Sequence, residues 1–282
     1  MKFYSPLRYP GGKNKLAKFV ALLCEKNHIN GHYIEPYAGG ASVALFLLLE
    51  GYVKEITIND LDRAIYAFWY SMLNDTKRFC NMILKTDITV KNWHKFKKIH
   101  KNKEKVDLFD LGFATFFLNR TNHSGVIDGG IIGGYQQKGD YKIDCRFNKI
   151  DLINRIKLIS GYKDRIHVKN LDALDLIDVS QKSSRSKNTI FYFDPPYFMK
   201  GQSLYMNSYQ PNDHREVSEK IKNINNARWI VSYDDVLPIR KLYKDKKIKS
   251  MKQEIIYTAH TVSLGKEIMF FDRGLLVPKY AK

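Results

Sequence analysis

The sequence predicts an α/β fold: a mainly parallel sheet with helices on its faces and a mainly helical segment inserted between its halves. Short apolar runs alternate with helix-period stretches in residues 1–75 and again in 150–282. Between them, residues 76–149 lose that rhythm, turning basic and then rich in glycine and polar residues. A chain of 282 residues at 44% hydrophobic content can bury one large core.

Leu16, Phe19, Val20 and Leu23 fall at helical spacing, so Lys15 to Asn27 is a helix. Tyr33-Ile34-Glu35 is a short strand running into Pro36-Tyr37-Ala38-Gly39-Gly40, and Ala41 to Glu50 is a buried helix. Glu55 to Asp60 is a second strand, followed by a helix from about Asp62 to Asn74. This β–α–β–α order implies parallel strands. Lys85 to Lys105 holds eight lysines against Asp87 and Glu104, with Trp93, Phe96 and Ile99 three residues apart, giving a basic helix with one apolar edge. Leu108 to Leu118 is a buried helix. Arg120 to Phe147, punctuated by Gly129-Gly130 and Gly133-Gly134, is a loop or hairpin. The α/β rhythm resumes with a helix over Lys149 to Ser160, a strand over Arg165 to Lys169 and a Ser/Lys connector over Gln181 to Asn188. Then follow the strand Ile190 to Phe193, the loop Phe198 to Asn212, a helix over Asp213 to Asn225 and the strand Arg228 to Tyr233. Glu254 to Thr258 and Glu267 to Phe271 are expected to pair as an antiparallel hairpin across Ser263-Leu264-Gly265.

Lys and Arg outnumber Asp and Glu by 47 to 29, a net charge of +18. That imbalance suits a polyanion such as nucleic acid. A membrane is the weaker partner: the longest apolar stretch, Ala41 to Leu49, is too short to span a bilayer. Met1 to Pro6 holds no signal-peptide apolar core, and a cytoplasmic location is expected. Cys24, Cys80 and Cys145 are widely spaced and lack metal-ligand pairing, so they are expected reduced and no metal is expected.

The chemistry concentrates in Asp194-Pro195-Pro196-Tyr197, at the end of an apolar strand. An exocyclic amine on a nucleobase carries two N–H donors; the Asp194 carboxylate can accept one and the Pro195 carbonyl the other. Two prolines fix the backbone that aims that carbonyl, and Tyr197 can stack on the base. The plain alternative is a strand end followed by a proline turn. In Glu35 to Gly40, glycines between strand and helix let backbone approach a ligand. Glu35 suits an ammonium there better than a phosphate, and the segment is not GxGxxG. Asp60, ending the next strand, is placed to accept ribose hydroxyls or to cap a helix. Tyr9-Pro10-Gly11-Gly12-Lys13 is not a P-loop, since Leu7 and Asn14 break the pattern, but Lys13 could hold a carboxylate.

In this order, Arg8 to Lys13, Glu35 to Gly40, Asp60, Asn119-Arg120-Thr121 and Asp194 to Tyr197 resemble the Dam-like DNA adenine-N6 methyltransferases, the D12 class, over nearly the whole chain. The resemblance implies a Rossmann-like class I methyltransferase sheet over 1–75 and 150–282, with a target-recognition subdomain inserted at 76–149. It implies S-adenosylmethionine as cofactor, S-adenosylhomocysteine as product, and no metal. Tyr9, Lys13, Glu35, Pro36, Tyr37, Ala38, Gly39, Gly40, Asp60, Asp172 and Asp194 would contact the cofactor, and Asp194, Pro195, Pro196 and Tyr197 would carry catalysis. Lys95, Lys97, Lys98, Lys101, Arg120, Asn122, Tyr135 and Lys138 would contact double-stranded DNA. A monomer is expected, with a cognate restriction endonuclease as a candidate partner. The chain departs from GATC-methylating members in Thr258 to Lys266 and in Arg120 to Gly125, so it leaves the target sequence open. Related chemistries remain open on the residues alone: cytosine N4, RNA adenine, or a non-catalytic binding protein on the same fold. A nicotinamide dehydrogenase is disfavoured by the missing GxGxxG.

Overall fold

The computed structural model describes residues 2–9, 12–182, 188–199, 209–257 and 263–279; of 254–257 and 263–264 only the backbone is described. Seven strands form one sheet: β1 (His32–Glu35), β2 (Glu55–Asn59), β3 (Ile166–Lys169), β4 (Thr189–Phe193), β5 (Arg228–Asp234), β6 (Lys249–Tyr257) and β7 (Ser263–Phe271). Their order is β3-β2-β1-β4-β5-β7-β6, with β7 antiparallel to both its neighbours and the other pairs parallel.

Strand periodicity splits the core in two. Ile190 and Tyr192 of β4 and Met269 and Phe271 of β7 pack on one face; Phe191, Phe193, Ile268 and Phe270 pack on the other. The first face is covered by α1 (Ala17–Lys26), α2 (Ser42–Leu49) and α3 (Arg63–Asn74). The second receives α8 (Ala173–Gln181), α9 (Pro211–Lys222) and α10 (Leu237–Leu242). Short polar residues start these helices: Asp62 accepts from Ala64 N and Asp172 from Leu174 N, while Gln210 and Asp213 form a reciprocal cap.

Helices α4 (Thr76–Lys85), α5 (Val90–Lys101) and α6 (Leu108–Thr121) intervene between β2 and β3, ahead of α7 (Lys149–Ser160). The basic helix expected over Lys85 to Lys105 is shorter: α4 ends at Lys85, and Thr89 caps α5 through Asn92 N at 3.2 Å. The interruption follows from Thr86 to Thr89, whose short polar and β-branched side chains favour caps over helix interiors. α6 is apolar almost all round and buried from Leu111 to Asn119. Phe79, Phe96, Phe113, Phe116, Phe117 and Phe147 pack with Phe68 of α3 in one aromatic cluster, so the inserted helices share the core of the sheet.

The terminal hairpin is longer than its apolar runs suggest. Pairing extends from Lys249↔Phe271 to Tyr257↔Ser263, which places Ser263 to Gly265 inside β7. Lysines on β6 conceal its period, as charge commonly does on an edge strand.

Candidate active site

β1 and β4 are adjacent, with Ile34 opposite Phe191, so Glu35 to Gly40 and Asp194 to Tyr197 leave the sheet side by side at its carboxyl end. From this pair the strand order runs outward in both directions, the place where open α/β sheets bind ligands. A cleft opens there, lined by Tyr9, Lys13, Glu35 to Ala38, Gly40, Asp60, Leu171, Asp172, Asp194 and Tyr209. Its far wall comes from the inserted region, through Lys103 and Gly125 to Asp128.

The β1 loop is held from several directions. Asn59 Nδ2 donates to the Pro36 carbonyl at 2.9 Å and to the Leu171 carbonyl at 3.0 Å. Trp69 Nε1 donates to the Gly39 carbonyl at 2.9 Å, and Gly39 N donates to Asp60 Oδ2 at 2.9 Å. Gly39 has φ +46°, and a Cβ there would lie 2.6 Å from the Tyr9 ring; the position needs glycine for both reasons. Asp60 also accepts from Asp62 N at 3.0 Å, and burial pushes its carboxyl up to about 7 against those two hydrogen bonds. The helix cap here is Asp62, leaving Asp60 to the cleft. Asp172 caps α8, accepting from Leu174 N at 2.8 Å, and also lines the cleft.

Glu35 is buried and accepts from the Tyr33 hydroxyl at 3.0 Å and from Ala44 N at 3.1 Å. Burial pushes its carboxyl up to about 8, despite those bonds, with nearby Asp194 acting in the same direction. Burial thus favours the protonated form of this acid.

Asp194 is held through both oxygens. Ser232 Oγ donates to Oδ1 at 2.7 Å, and Lys13 Nζ lies 2.8 Å from Oδ2. The same ammonium donates to Tyr197 Oη at 2.8 Å and stands 3.6 Å from Glu267 Oε1, and the Tyr197 hydroxyl donates to Glu267. Pro196 lines the cleft, while Pro195 and Tyr197 are buried beside it. Asp234 then receives Phe198 N and Met199 N, both at 2.9 Å, and fixes the turn that follows.

Asn119 locks the N-terminal loop to the inserted region. Its side chain accepts from Arg8 N at 2.7 Å and donates to the Arg8 and Gly125 carbonyls, each at 2.8 Å. Of the residues expected on nucleic acid, Lys95, Lys98, Lys101, Tyr135 and Lys138 are exposed, with Tyr135 stacked on His94 at 5.6 Å. Three others have internal partners. Lys97 binds Asp128 at 3.2 Å and the Ile127 carbonyl at 3.1 Å. Arg120 donates to the Arg146 carbonyl at 2.7 Å, and burial lowers its guanidinium to about 10. Buried Asn122 accepts from Trp93 Nε1 at 2.6 Å and donates to Val126 and Ile127 carbonyls, so it holds the cleft-lining loop.

Glu267, Ser232, Asp234 and Asn59 are functional contacts that no sequence motif marks, whereas Asn119 falls in the Asn119-Arg120-Thr121 segment. Polar residues inside otherwise apolar strands and helices were the available signal, as at Ser232 and Glu267. Among the described residues, no group of three or more His, Cys, Asp or Glu is placed to hold a metal ion. No described helix is long and apolar enough to cross a membrane.

The sheet order and the paired strand-end motifs define a class I methyltransferase type of α/β protein. The family model of the D12 class N6 adenine-specific DNA methyltransferases matches residues 9–256, and the chain belongs to that family. It is therefore an adenine-specific DNA methyltransferase using S-adenosylmethionine. The chain is 24% identical over 225 residues to the Type II methyltransferase M.MjaIII of Methanocaldococcus jannaschii, covering 74% of each. Among solved structures, the rRNA methyltransferase aviRa of Streptomyces viridochromogenes aligns with a TM-score of 0.43 at 11% identity, covering 94% of this chain and 86% of that one. An O-methyltransferase of Bacillus cereus in complex with SAH aligns with a TM-score of 0.41 at 10% identity, covering 92% and 81%.

Proposed function

We propose that this chain methylates N6 of an adenine flipped out of double-stranded DNA, at a specific sequence. The observation that carries the reading is the meeting of Asp194 and Glu35 in one cleft at the junction of β1 and β4. S-adenosylmethionine supplies a methyl group on a sulfonium, already a good leaving group, so the protein's task is positioning and polarisation. Glu35 faces the ammonium of the methionine end, Asp60 the ribose hydroxyls, and Asp172 the adenine end; Tyr9, Lys13 and Pro36 to Gly40 complete the wall. Asp194 accepts one N–H of the target amine, the Pro195 carbonyl accepts the other, and Tyr197 packs on the base. This sharpens the nitrogen lone pair toward the methyl group. Asp194 is the carboxylate to receive the proton that N6 sheds afterwards.

Flipping the base costs a few kcal/mol in lost stacking and pairing. Lys95, Lys98, Lys101, Tyr135 and Lys138 supply an exposed basic and aromatic face for the duplex. Residues 76–149 serve as the target-recognition region. The likeness to a Type II methyltransferase supports a restriction–modification role, with a cognate endonuclease acting on the same site. The chain acts as a monomer in the cytoplasm.

The test is methylation of plasmid DNA lacking adenine methylation, with labelled S-adenosylmethionine and single-molecule sequencing of the product. N6-methyladenine at one recurrent motif is expected. Label on cytosine, label only on RNA, or no label refutes the reading.

A further inference from the structure

Glu267 lies outside every motif that marks the site, yet it is 1% exposed and points into the heart of it. Its Oε1 accepts from the Tyr197 hydroxyl and stands 3.6 Å from Lys13 Nζ. That same ammonium is 2.8 Å from Asp194 Oδ2. One cation is thus shared by two carboxylates from different parts of the sheet. Asp194 follows β4 and Glu267 sits on β7, opposite Asp234 of β5. Asp234 in turn binds Phe198 N and Met199 N, so neighbouring acids on β5 and β7 secure consecutive parts of the catalytic turn.

The arrangement has a charge consequence. Lys13, Asp194 and Glu267 together carry a net charge of −1 when all are ionised. Charges at this depth act in a low dielectric and are felt strongly. Resting on Oδ2, the Lys13 ammonium also draws off the electron density with which Asp194 must accept the target amine. Glu267 Oε1, 3.6 Å from that ammonium, offers a second carboxylate and removes the conflict.

We propose that Glu267 is a positioning residue that takes the Lys13 ammonium from Asp194 when the target amine arrives, while holding Tyr197 by its hydroxyl. The inference rests on the proposed reaction for its kinetic arm only. Its electrostatic arm concerns the sulfonium: the extra negative charge favours S-adenosylmethionine over the uncharged sulfur of S-adenosylhomocysteine.

The experiment uses the full chain and the variants Glu267→Gln and Glu267→Asp. Calorimetry gives the ratio of dissociation constants for S-adenosylhomocysteine and S-adenosylmethionine, and single-turnover methylation of DNA gives the transfer rate. Glu267→Gln keeps an acceptor for Tyr197 but loses the charge. It is expected to reduce the preference for the sulfonium about tenfold and the transfer rate about 100-fold. Glu267→Asp keeps the charge, so the ratio stays as in the parent and the rate falls only about tenfold. A folded Glu267→Gln with the parent ratio and parent rate overturns the proposal and leaves a purely structural ion pair. Should that variant fail to fold, Glu267→Asp decides alone, since a parent transfer rate there is the overturning result. If the parent chain transfers no methyl to DNA, the proposed function fails, while the sulfonium ratio still decides the role of Glu267.

Discussion

On the proposed placement of the cofactor, Glu35 is expected to make its binding a proton-linked event. The carboxyl sits fully buried with its pKa pushed up to about 8, so at pH 6 it is almost entirely protonated. A bound ammonium at the methionine end favours the carboxylate. Ionising Glu35 at pH 6 then costs about 2 pH units at roughly 1.4 kcal/mol each relative to the fully ionised group; relative to pH 8, where half of it is already ionised, affinity falls about 50-fold. The ligand is a free amino acid, and its own carboxylate keeps its ammonium protonated above the peptide α-amino range of about 7.7–8.0. Below pH 8 binding therefore releases a proton, and affinity climbs with pH until Glu35 is ionised. Calorimetry with S-adenosylhomocysteine in two buffers of different ionisation enthalpy measures that proton directly. Asp60, raised to about 7, adds a smaller component that Asp60→Asn subtracts. Glu35→Gln is expected to bind more weakly at pH 8 and to lose most of the slope below it. The folding sign is opposite to that of an ion-paired acid. Because the folded pKa lies above the ordinary 4.5, the associated stability is complete below pH 4.5 and is lost as pH rises through 8. The ligand-free Glu35→Gln protein should therefore gain melting temperature over the parent at pH 8 and gain little at pH 4. No proton release at pH 6, together with a parent-like pH slope in Glu35→Gln, refutes the reasoning.

Gly125 has φ +77°, and a Cβ there would lie 1.9 Å from the Arg8 carbonyl. Gly125→Ala should push the N-terminal loop off Asn119, lowering the melting temperature by several degrees and cofactor affinity at least tenfold by calorimetry, roughly 1.4 kcal/mol. Asp194→Ala is expected to abolish detectable methyl transfer, about 1000-fold or more, while circular dichroism shows a folded chain; normal turnover would exclude Asp194 from catalysis. Lys98→Glu, on the exposed side of α5, should weaken DNA binding and lower the slope of log affinity against log salt by about one unit. An unchanged slope in fluorescence anisotropy would remove α5 from the DNA interface.

Much of the fold was legible because its cause is local. Val, Ile and aromatic runs ended by Gly, Pro or Asp announce buried parallel strands, and β1, β2, β4 and β5 lie within a residue or two of where those runs fall. The elements that were misread obey a distant neighbour instead. β6 pairs along nine residues because β7 offers a partner, and nothing in its lysines signals that. Helices α4 to α6 join the sheet's core through Phe79, Phe96 and Phe116, a contact that the charge on α5 conceals in the sequence. Composition reports the solvent face of such a helix and conceals its buried edge.

The site divides along the same line. Glu35 to Gly40, Asp60 and Asp194 to Tyr197 were legible because each must sit at a strand end with particular backbone freedom, a requirement written into adjacent residues. Which groups hold them was not, since Ser232, Asp234 and Glu267 approach from strands far along the chain. Lys13 shows why this matters. In the sequence it is a lysine after a glycine turn, suited to a carboxylate of some ligand. In the fold its ammonium already faces Asp194 and Glu267. The ammonium also donates to the Tyr197 hydroxyl, so it ties Asp194, Tyr197 and Glu267 together. The motif residues are thus local to strand ends, while the strand-borne acids behind them, Asp234 and Glu267, hold the turn after Asp194 and the Lys13 ammonium.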